Sequence, residues 1–367
     1  MRGEPSGQVG MLTLLSPERL IPKEHPIRRI KALADAELVR LSPVLGRMYA
    51  ERGRPSIPPE ALLKAQLLIA LYSVRSERQF CEQLRYNLLF RYFLDLGLDD
   101  GTFDASSFAK NKARLLGAEV ARYFFEGVVA QARAAQLLSA EHFTLDGTLI
   151  EAWASLKSLR PKDERPADRR PPEDPGNPTV TFKGETRSNA THASTTDPAA
   201  QLAKKGRTNP AKLCYSAHVL MENRHGLCVD VSLAAATGVA EWDEGLRLIS
   251  RQQAAGHRVG TLGADRGYDV RRFIEPLRAA GVTPHVARWV RRRRGSLIDD
   301  HTAQTAGYLR SQRVRKRVEE IFGWMKTVGG LRKTRYRGPA RVSLHTYFVA
   351  AAYNLVRLAK LVPAATT

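Results

Sequence analysis

The sequence predicts an α/β fold in which a mixed sheet, flanked by helices, follows an all-α domain. Two changes of apolar period along the chain indicate this. From residue 30 to about residue 135 apolar residues recur at helical spacing almost without interruption. From Glu141 apolar residues recur at every second position, which is the spacing of a β-strand. After residue 210, strand-like and helix-like segments follow one another in the order of a mixed sheet.

The N-terminal part divides into an arm, residues 1–29, and a helical domain, residues 30–138. Pro22 and Pro26 interrupt any helix in the arm, so we expect it to pack on another part of the chain. Apolar periodicity and capping residues predict the helices of the domain. They span residues 30–50, 61–73, 76–86, 88–96, 104–116 and 118–135.

Residues 139–367 form the predicted α/β domain. Its first strand, 143–150, carries Asp146 in the middle, where an aspartate is unusual without a partner or a metal. Segment 156–210 is rich in prolines and charges, so we expect a flexible insertion. The further elements are read from period and turn residues. They are a hairpin (212–221 and 227–233), helices 240–255, 269–280 and 344–361, a short strand within 259–268 that ends at an aspartate and a glycine, and a strand at 282–287.

The overall charge favours a polyanionic partner. The chain has a formal net charge of +21 and a pI of about 10.2, which indicates nucleic acid, with an anionic membrane as the competing interpretation. No stretch reaches the 18 apolar residues of a membrane span, and the N-terminus M-R-G-E-P-S-G-Q has no apolar signal-peptide core, so we expect a cytoplasmic protein with no membrane partner. Its three cysteines are scattered along the sequence, so we expect them to be reduced, structural residues.

Positive charge is concentrated between Val286 and Arg337, where fifteen Lys and Arg face four acids, a net +11. We expect this stretch to hold a DNA backbone. The DNA-binding candidates chosen from it are Arg291, Arg292, Arg293, Arg294, Lys333 and Arg335.

Within the basic stretch, residues 313–326 read as one amphipathic helix. Its apolar stripe consists of Val314, Val318, Ile321 and Met325. Glu319 lies at the edge of this buried stripe and Glu320 one step further toward solvent. The alternative is an ordinary surface helix with i,i+4 ion pairs.

Three carboxylates are notable in this basic domain because of where they lie: Asp146 within a strand, Asp265 at the end of another strand, and Glu319 on the predicted helix 313–326. If brought together they would repel one another unless they held hard cations such as Mg²⁺ or Mn²⁺. Two such ions can activate a water or a 3′-hydroxyl and stabilise a leaving phosphodiester oxygen. The residues alone leave open whether the three converge.

Three motifs, in order, resemble those of bacterial insertion-sequence transposases of the DDE class, in the branch with a Y-R-E-K signature. They are D-G-T (146–148), A-D-R-G-Y-D (264–269) and R-x₃-E-x₆-K, which begins at residue 315. Segments 53–64 and 108–115 resemble the helical N-terminal domain of that family, and segments 194–206 and 218–230 resemble its central part.

The resemblance implies a ribonuclease-H-like catalytic core and an N-terminal domain for DNA binding or dimerisation. By it, Asp146, Asp265 and Glu319 carry over as catalytic metal ligands. Arg315 and Lys326 carry over as contacts to transposon-end DNA. One departure is Gln312, which stands where the signature has tyrosine, while Tyr308 lies one turn earlier.

The expected function is that of a DDE transposase that binds the inverted-repeat ends of its element, cleaves there, and joins the 3′ ends to target DNA. It would use two Mg²⁺ ions, with Mn²⁺ able to substitute, and work on double-stranded DNA as a homodimer or larger complex on paired ends. One alternative is a structure-specific nuclease on the same fold. Another is a non-catalytic DNA-binding repressor, which the intact carboxylates argue against.

Overall fold

The first part of the chain is helical, as predicted. A computed structural model describes residues 16–48, 56–115, 119–163, 187–206, 208–290 and 295–362. The helices of this first part are α1 (Pro17–Leu20), α2 (Pro26–Gly46), α3 (Pro59–Leu71), α4 (Glu77–Tyr86), α5 (Leu88–Phe93), α6 (Ala105–Leu115) and α7 (Val120–Ala134). Their boundaries lie within a few residues of the predicted ones.

Residues 16–29 of the predicted arm are partly helical, and residues 1–15 of it lie outside the described residues. Pro26, expected to interrupt a helix, instead begins α2, because a proline at the first helical position lacks only an N–H that would be unpaired there. His25 caps this end, and its Nδ1 accepts the N–H of Ile27 over 3.1 Å. The helix predicted from residue 30 therefore starts four residues earlier.

The helical part and the sheet share one hydrophobic core. The last helix, α13 (Pro339–Leu361), packs against α2, α3, α7 and a strand of the sheet. Its successive alanines Ala350, Ala351 and Ala352 are fully buried, so neighbouring elements approach it on several sides. The boundary predicted at residue 138 thus separates two sequence patterns and does not separate two cores.

The sheet lies in the second part of the chain and is built around its first strand. The strands are β1 (His142–Glu151), β2 (Leu159–Pro161), β3 (His192–Ser194), β4 (Gln201–Ala203), β5 (Lys212–Glu222), β6 (Leu227–Ala235), β7 (Thr261–Ala264) and β8 (Thr283–Val286). β1 pairs antiparallel with β5 and parallel with β7, β6 pairs antiparallel with β5, and β8 lies parallel to β7. β4 pairs with the first residues of β5, and β2 and β3 form a separate pair.

Three antiparallel strands followed by two parallel ones, in the spatial order β6-β5-β1-β7-β8, make this the ribonuclease-H-like sheet that the resemblance implied. The β5–β6 hairpin turns at Gly226, whose φ of 65° suits a residue without a side chain. This confirms the hairpin predicted from the Asn and Gly of the turn.

Helices cover both faces of the sheet. The helices of this part are α8 (Ala240–Ala254), α9 (Arg271–Ala279), α10 (Asp300–Gln304), α11 (Ala306–Val314) and α12 (Val318–Thr327). α8 lies on the Leu145 face of β1, where a Cβ added at Gly245 would come within 2.4 Å of the Leu145 side chain. On the other face, the Cβ of Arg315 lies 3.6 Å from the Cβ position of Gly263, close to Thr144.

The stretch 313–326 is not one continuous α-helix. α11 ends at Val314, a 3-10 turn spans Arg315–Arg317, and α12 follows. The apolar stripe is nevertheless buried as predicted at Val318, Ile321 and Met325, each at most 2% exposed. Arg315 and Arg317, at the two ends of the turn, keep right-handed helical angles, so the stripe continues across the break.

The predicted insertion is partly ordered. Residues 164–186 lie outside the described residues, but β2, β3 and β4 fall within the segment predicted as a loop. Asp197 in this segment is buried and accepts a hydrogen bond from the hydroxyl of Tyr215 over 2.6 Å. A buried aspartate with a buried partner fixes this part of the chain against β5, which composition alone did not reveal.

The sequence also gave expectations about membrane spans and about the cysteines. Within the described ranges, none of the helices is long and apolar enough to cross a membrane. Cys81, Cys214 and Cys228 are all buried and free, in agreement with their prediction as reduced structural residues.

Candidate active site

Asp146 and Asp265 lie side by side at the centre of the sheet. The parallel pairing of β1 with β7 ends with Thr144 opposite Gly263. Asp146 lies two residues beyond this pair on β1, and Asp265 lies two residues beyond it directly after the end of β7, so the two stand at the same end of the paired strands. β7 ends at Ala264, and the edge of β1 next to Asp146 is therefore no longer covered by a strand.

Asp146 is held in a desolvated, acidic environment. Burial raises the pKa of its carboxyl to about 7, and the negative charges of Asp265 and Glu241 act in the same direction. The N–H of Gly147, which donates to Oδ1 over 2.8 Å, and the charge of Arg315 partly oppose this rise in pKa. A carboxyl with such a pKa changes charge near neutral pH.

The loop after β7 fixes Asp265. Its Oδ1 accepts the N–H of Gly267 over 2.8 Å and so caps the 3-10 turn Arg266–Tyr268. The carbonyl of Gly267 in turn accepts Nε1–H of Trp242, at the start of α8, over 3.1 Å. The Asp265 side chain is exposed and faces solvent at the open edge of β1.

Glu241 is an acidic neighbour that the sequence reasoning missed. It lies in the first turn of α8, and its pKa is raised by burial and then by the negative charge of Asp265. Three acids lie near the start of this helix: Glu241, Asp243 and Glu244. Acidic residues are common there because the helix dipole stabilises them. Only the packing of α8 on β1 distinguishes Glu241 from the other two.

Arg315 lies on the face of β1 that carries Thr144 and Asp146, because its Cβ is 3.6 Å from the Cβ position of Gly263, beside Thr144. Its Nε donates to Oε1 of Gln312 over 3.0 Å, and Nε2 of Gln312 donates to the carbonyl of His285 over 2.5 Å. The ring of Tyr308, one turn before Gln312, is buried, and its hydroxyl donates to the carbonyl of Val286 over 3.1 Å.

Glu319 is exposed at the start of α12, four residues after Arg315, and α12 packs on β1. Among the described residues no hydrogen bond or ion pair holds its side chain. Glu320, also exposed, lies 3.9 Å from Arg317 and 3.7 Å from Arg357. Taking only the described parts of the chain, no three His, Cys, Asp or Glu side chains converge closely enough to hold a metal ion as they stand.

The predicted DNA-binding residues have different surroundings. Lys326 is half-buried, and its pKa is lowered by burial and then by the positive charges of Lys205 and Arg332. Lys333 lies 3.3 Å from Glu151. Arg335 donates to the carbonyl of Val74 over 2.6 Å.

These contacts separate the candidates into two kinds. Lys326 has two further cations, Lys205 and Arg332, acting on it, and within the described ranges it forms no ion pair. Arg335 ties the C-terminal part to the helical part, a structural contact that the sequence did not suggest. The predicted run Arg291, Arg292, Arg293 and Arg294 lies outside the described residues.

The fold and the carboxylate pair define a ribonuclease-H-like α/β protein with an acidic site at the centre of its sheet. Two family models match the chain: a transposase domain over residues 15–114 and a transposase DDE domain over residues 188–355. Between them they match most of the chain, and Asp265 and Glu319 lie within the second match. The chain belongs to the insertion-sequence transposases of the DDE class.

Solved transposase structures resemble the chain at low sequence identity. A piggyBac transposase synaptic complex with hairpin DNA is 10% identical, with 93% of this chain and 74% of that chain covered and a TM-score of 0.41. A Mos1 transposase paired-end complex with left transposon end is 11% identical, with 77% and 81% covered and a TM-score of 0.21. No curated protein matches the sequence.

Proposed function

We propose that this DDE transposase binds the inverted-repeat ends of its own element, cleaves phosphodiester bonds there and joins the 3′ ends to target DNA. The observation that carries the proposal is the placement of Asp146 on β1 and of Asp265 directly after the parallel neighbour β7, with Arg315 on the Asp146 face of β1. The net charge of +21 favours DNA as the substrate.

The donor set fits hard divalent cations. The proposed ligands are the carboxylates of Asp146, Asp265 and Glu319, and oxygen ligands suit Mg²⁺ or Mn²⁺. The negative charge of Asp265 raises the pKa of Asp146, a repulsion that a bound cation would relieve. Glu319 is exposed and has no side-chain partner within the described ranges, so we expect it to turn toward the pair. When bound, two such ions would activate a water or a 3′-hydroxyl and stabilise the leaving oxygen.

The chain's own residues position the DNA. Arg315, oriented by Gln312, would contact a phosphate next to the carboxylates. Lys326, with Lys205 and Arg332 near it, would hold the backbone of the transposon end further along α12. The carboxylates of Asp146 and Asp265 thus have the cations Arg315 and Lys326 beside them. This arrangement supports the DNA contacts that the resemblance implies for Arg315 and Lys326.

The arrangement of subunits is part of the proposal. Cleaving and joining two ends in one event requires both ends to be held together, so we propose a homodimer or larger complex on paired ends.

Strand cleavage and joining test this proposal. The purified protein, given a labelled fragment carrying one end of the element and a supercoiled target in Mg²⁺, should cut the fragment and join its 3′ end to the target. Asp146→Asn and Asp265→Asn should abolish both reactions and keep binding of the fragment. Cutting without joining would favour the structure-specific nuclease. Binding with neither reaction in the unmodified protein would favour the repressor.

A further inference from the structure

The first turn of α8 carries Glu241 to the acidic site. Gly245, one turn further along α8, sits against Leu145 of β1. Residues four apart share a helix face and residues two apart share a strand face, so this contact places Glu241 over Gly147. A Cβ added at Gly147 would lie 3.5 Å from Cγ of Glu241. Two glycines without side chains therefore allow the glutamate to reach the strand position next to the catalytic aspartate.

A second contact ties Glu241 to the other aspartate. The neighbouring residue, Trp242, donates its indole N–H to the carbonyl of Gly267, whose own N–H is bound by Asp265. Because β7 ends just before Asp265, the edge of β1 is open at this level. Carboxylates from both faces of the sheet can meet at that open edge.

Tyr268 supplies an independent sign of a ligand at the same place. Its side chain is 1% exposed, and its hydroxyl has no hydrogen-bond partner among the described residues. Burial raises its pKa well above the usual range, and the negative charges of Glu241, Asp146 and Asp265 add to this. Buried tyrosine hydroxyls usually find a partner, so this one is available to a further group bound among the carboxylates.

Glu241 also differs from the acids next to it. Asp243 lies 2.9 Å from Arg272, and Glu244 pairs with Arg247 over 2.5 Å. Among the described residues no Lys or Arg pairs with Glu241. An unpaired carboxylate beside two others repels them unless a cation is shared.

We propose that Glu241 is a fourth metal-binding carboxylate of this transposase, acting with Asp146 and Asp265 on the side of the site that faces Tyr268. The inference rests on the proposed function, since it assumes that the two aspartates hold a divalent cation. It extends the site from residues given by sequence motifs to a residue that only the packing of α8 on β1 brings there.

Mn²⁺ binding to the DNA-free full-length protein tests the inference, measured by titration calorimetry with the free ion. Glu241→Gln should weaken binding about 10- to 100-fold, the range found when groups supporting a metal site are removed. Glu241→Ala should give the same loss. Asp243→Asn, which removes one charge from the same helical turn, should bind Mn²⁺ like the unmodified protein. The melting temperature of the metal-free protein should not fall in Glu241→Gln, because a repulsion is removed.

The outcomes separate this inference from the proposed function. If Glu241→Gln binds Mn²⁺ like the unmodified protein while Asp146→Asn does not, Glu241 is no ligand and the aspartate site stands. If Glu241→Gln and Asp243→Asn weaken Mn²⁺ binding equally, the loss comes from the lower negative charge of the region and not from a lost ligand. That result would overturn the inference. No Mn²⁺ binding by the unmodified protein overturns both proposals.

Discussion

Oε1 of Gln312 accepts a hydrogen bond from Nε of Arg315 over 3.0 Å, and this contact holds the arginine on the face of β1 that carries Asp146. The glutamine is itself anchored to the carbonyl of His285 on β8. Gln312 therefore links the sheet to the arginine.

The first prediction concerns this link. Gln312→Ala should lower the rate of end cleavage by about 10- to 100-fold, because a misplaced positioning group costs that much even when the chemistry is intact. The substitution leaves Arg315 charged, so affinity for the end fragment should change little. Single-turnover cleavage and a binding isotherm measure the two effects. Arg313→Ala, an exposed neighbour, is the control, and an equal loss of rate in both variants would contradict the positioning role.

The second prediction distinguishes Glu319 from Glu320. Glu320 lies near Arg317 and Arg357, whereas nothing among the described residues holds Glu319. Glu319→Gln should therefore lose end cleavage, and Glu320→Gln should keep most of it at a cost in stability of about 0–1 kcal/mol, as for an exposed pair. Cleavage assays and melting curves of both proteins provide the comparison. Loss of cleavage in Glu320→Gln alone would mean that the start of α12 presents the other glutamate to the site.

The third prediction concerns the salt dependence of DNA binding. Lys326 lies near two further cations, Lys205 and Arg332, so Lys326→Ala should reduce the magnitude of the slope of log K against log[salt] by about 0.9, the value for one phosphate contact. Lys333→Ala should change the slope less, because Lys333 is already paired with Glu151. Lys360→Ala, at the exposed end of α13, serves as the control. Equal slopes for the Lys326 and Lys360 variants would remove Lys326 from the DNA path.

The fourth prediction concerns the pH dependence of metal binding. Burial raises the pKa of Asp146 to about 7, so at pH 6 most of the metal-free protein carries this carboxyl protonated. A metal ion needs the ionised form, and Mn²⁺ affinity should rise about tenfold between pH 6 and pH 8 as the proton is lost. Titrations at pH 7 in buffers of different ionisation enthalpy should show proton release. Asp146→Asn should abolish this release, and release that persists in the variant would assign the proton to another group.

The fifth prediction concerns acid stability. Complete burial lowers the pKa of His345 to about 3, with Arg335 and Lys112 acting in the same direction, and both ring nitrogens lack partners within the described structure. Since the unfolded histidine takes up a proton near pH 6.5 and the folded one does not, stability is lost as pH falls below 6.5. From this residue the loss between pH 6.5 and 5 should be on the order of 1.5 kcal/mol.

Denaturant unfolding at the two pH values measures that loss. His345→Leu, which cannot take up a proton, should show a correspondingly flatter pH dependence. His301→Asn, an exposed position, should behave like the unmodified protein. An unchanged dependence in His345→Leu would mean that other buried groups, such as His218 or His285, whose pKa values burial lowers to about 4, account for the acid sensitivity.

The sequence by itself determined the local structure and the family. The change of period at Glu141, the hairpin turn at Gly226 and the buried stripe of α12 each follow from local residue pattern, and the structure confirms them. Asp146 could be singled out because an aspartate inside a strand conflicts with strand propensity. The motif order added the transposase class, which the family models confirm.

Only the tertiary structure decided which residues meet. Parallel pairing of β1 with β7 sets Asp146 level with Asp265, although 118 residues separate them in the chain, and no local pattern encodes that register. Glu241 reaches the same place because Gly245, which has no side chain, lets α8 pack closely on Leu145. Its acidic neighbours Asp243 and Glu244 instead form ion pairs with arginines. Local pattern depends on the spacing of residues within one element, whereas the composition of the site depends on how closely separate elements pack.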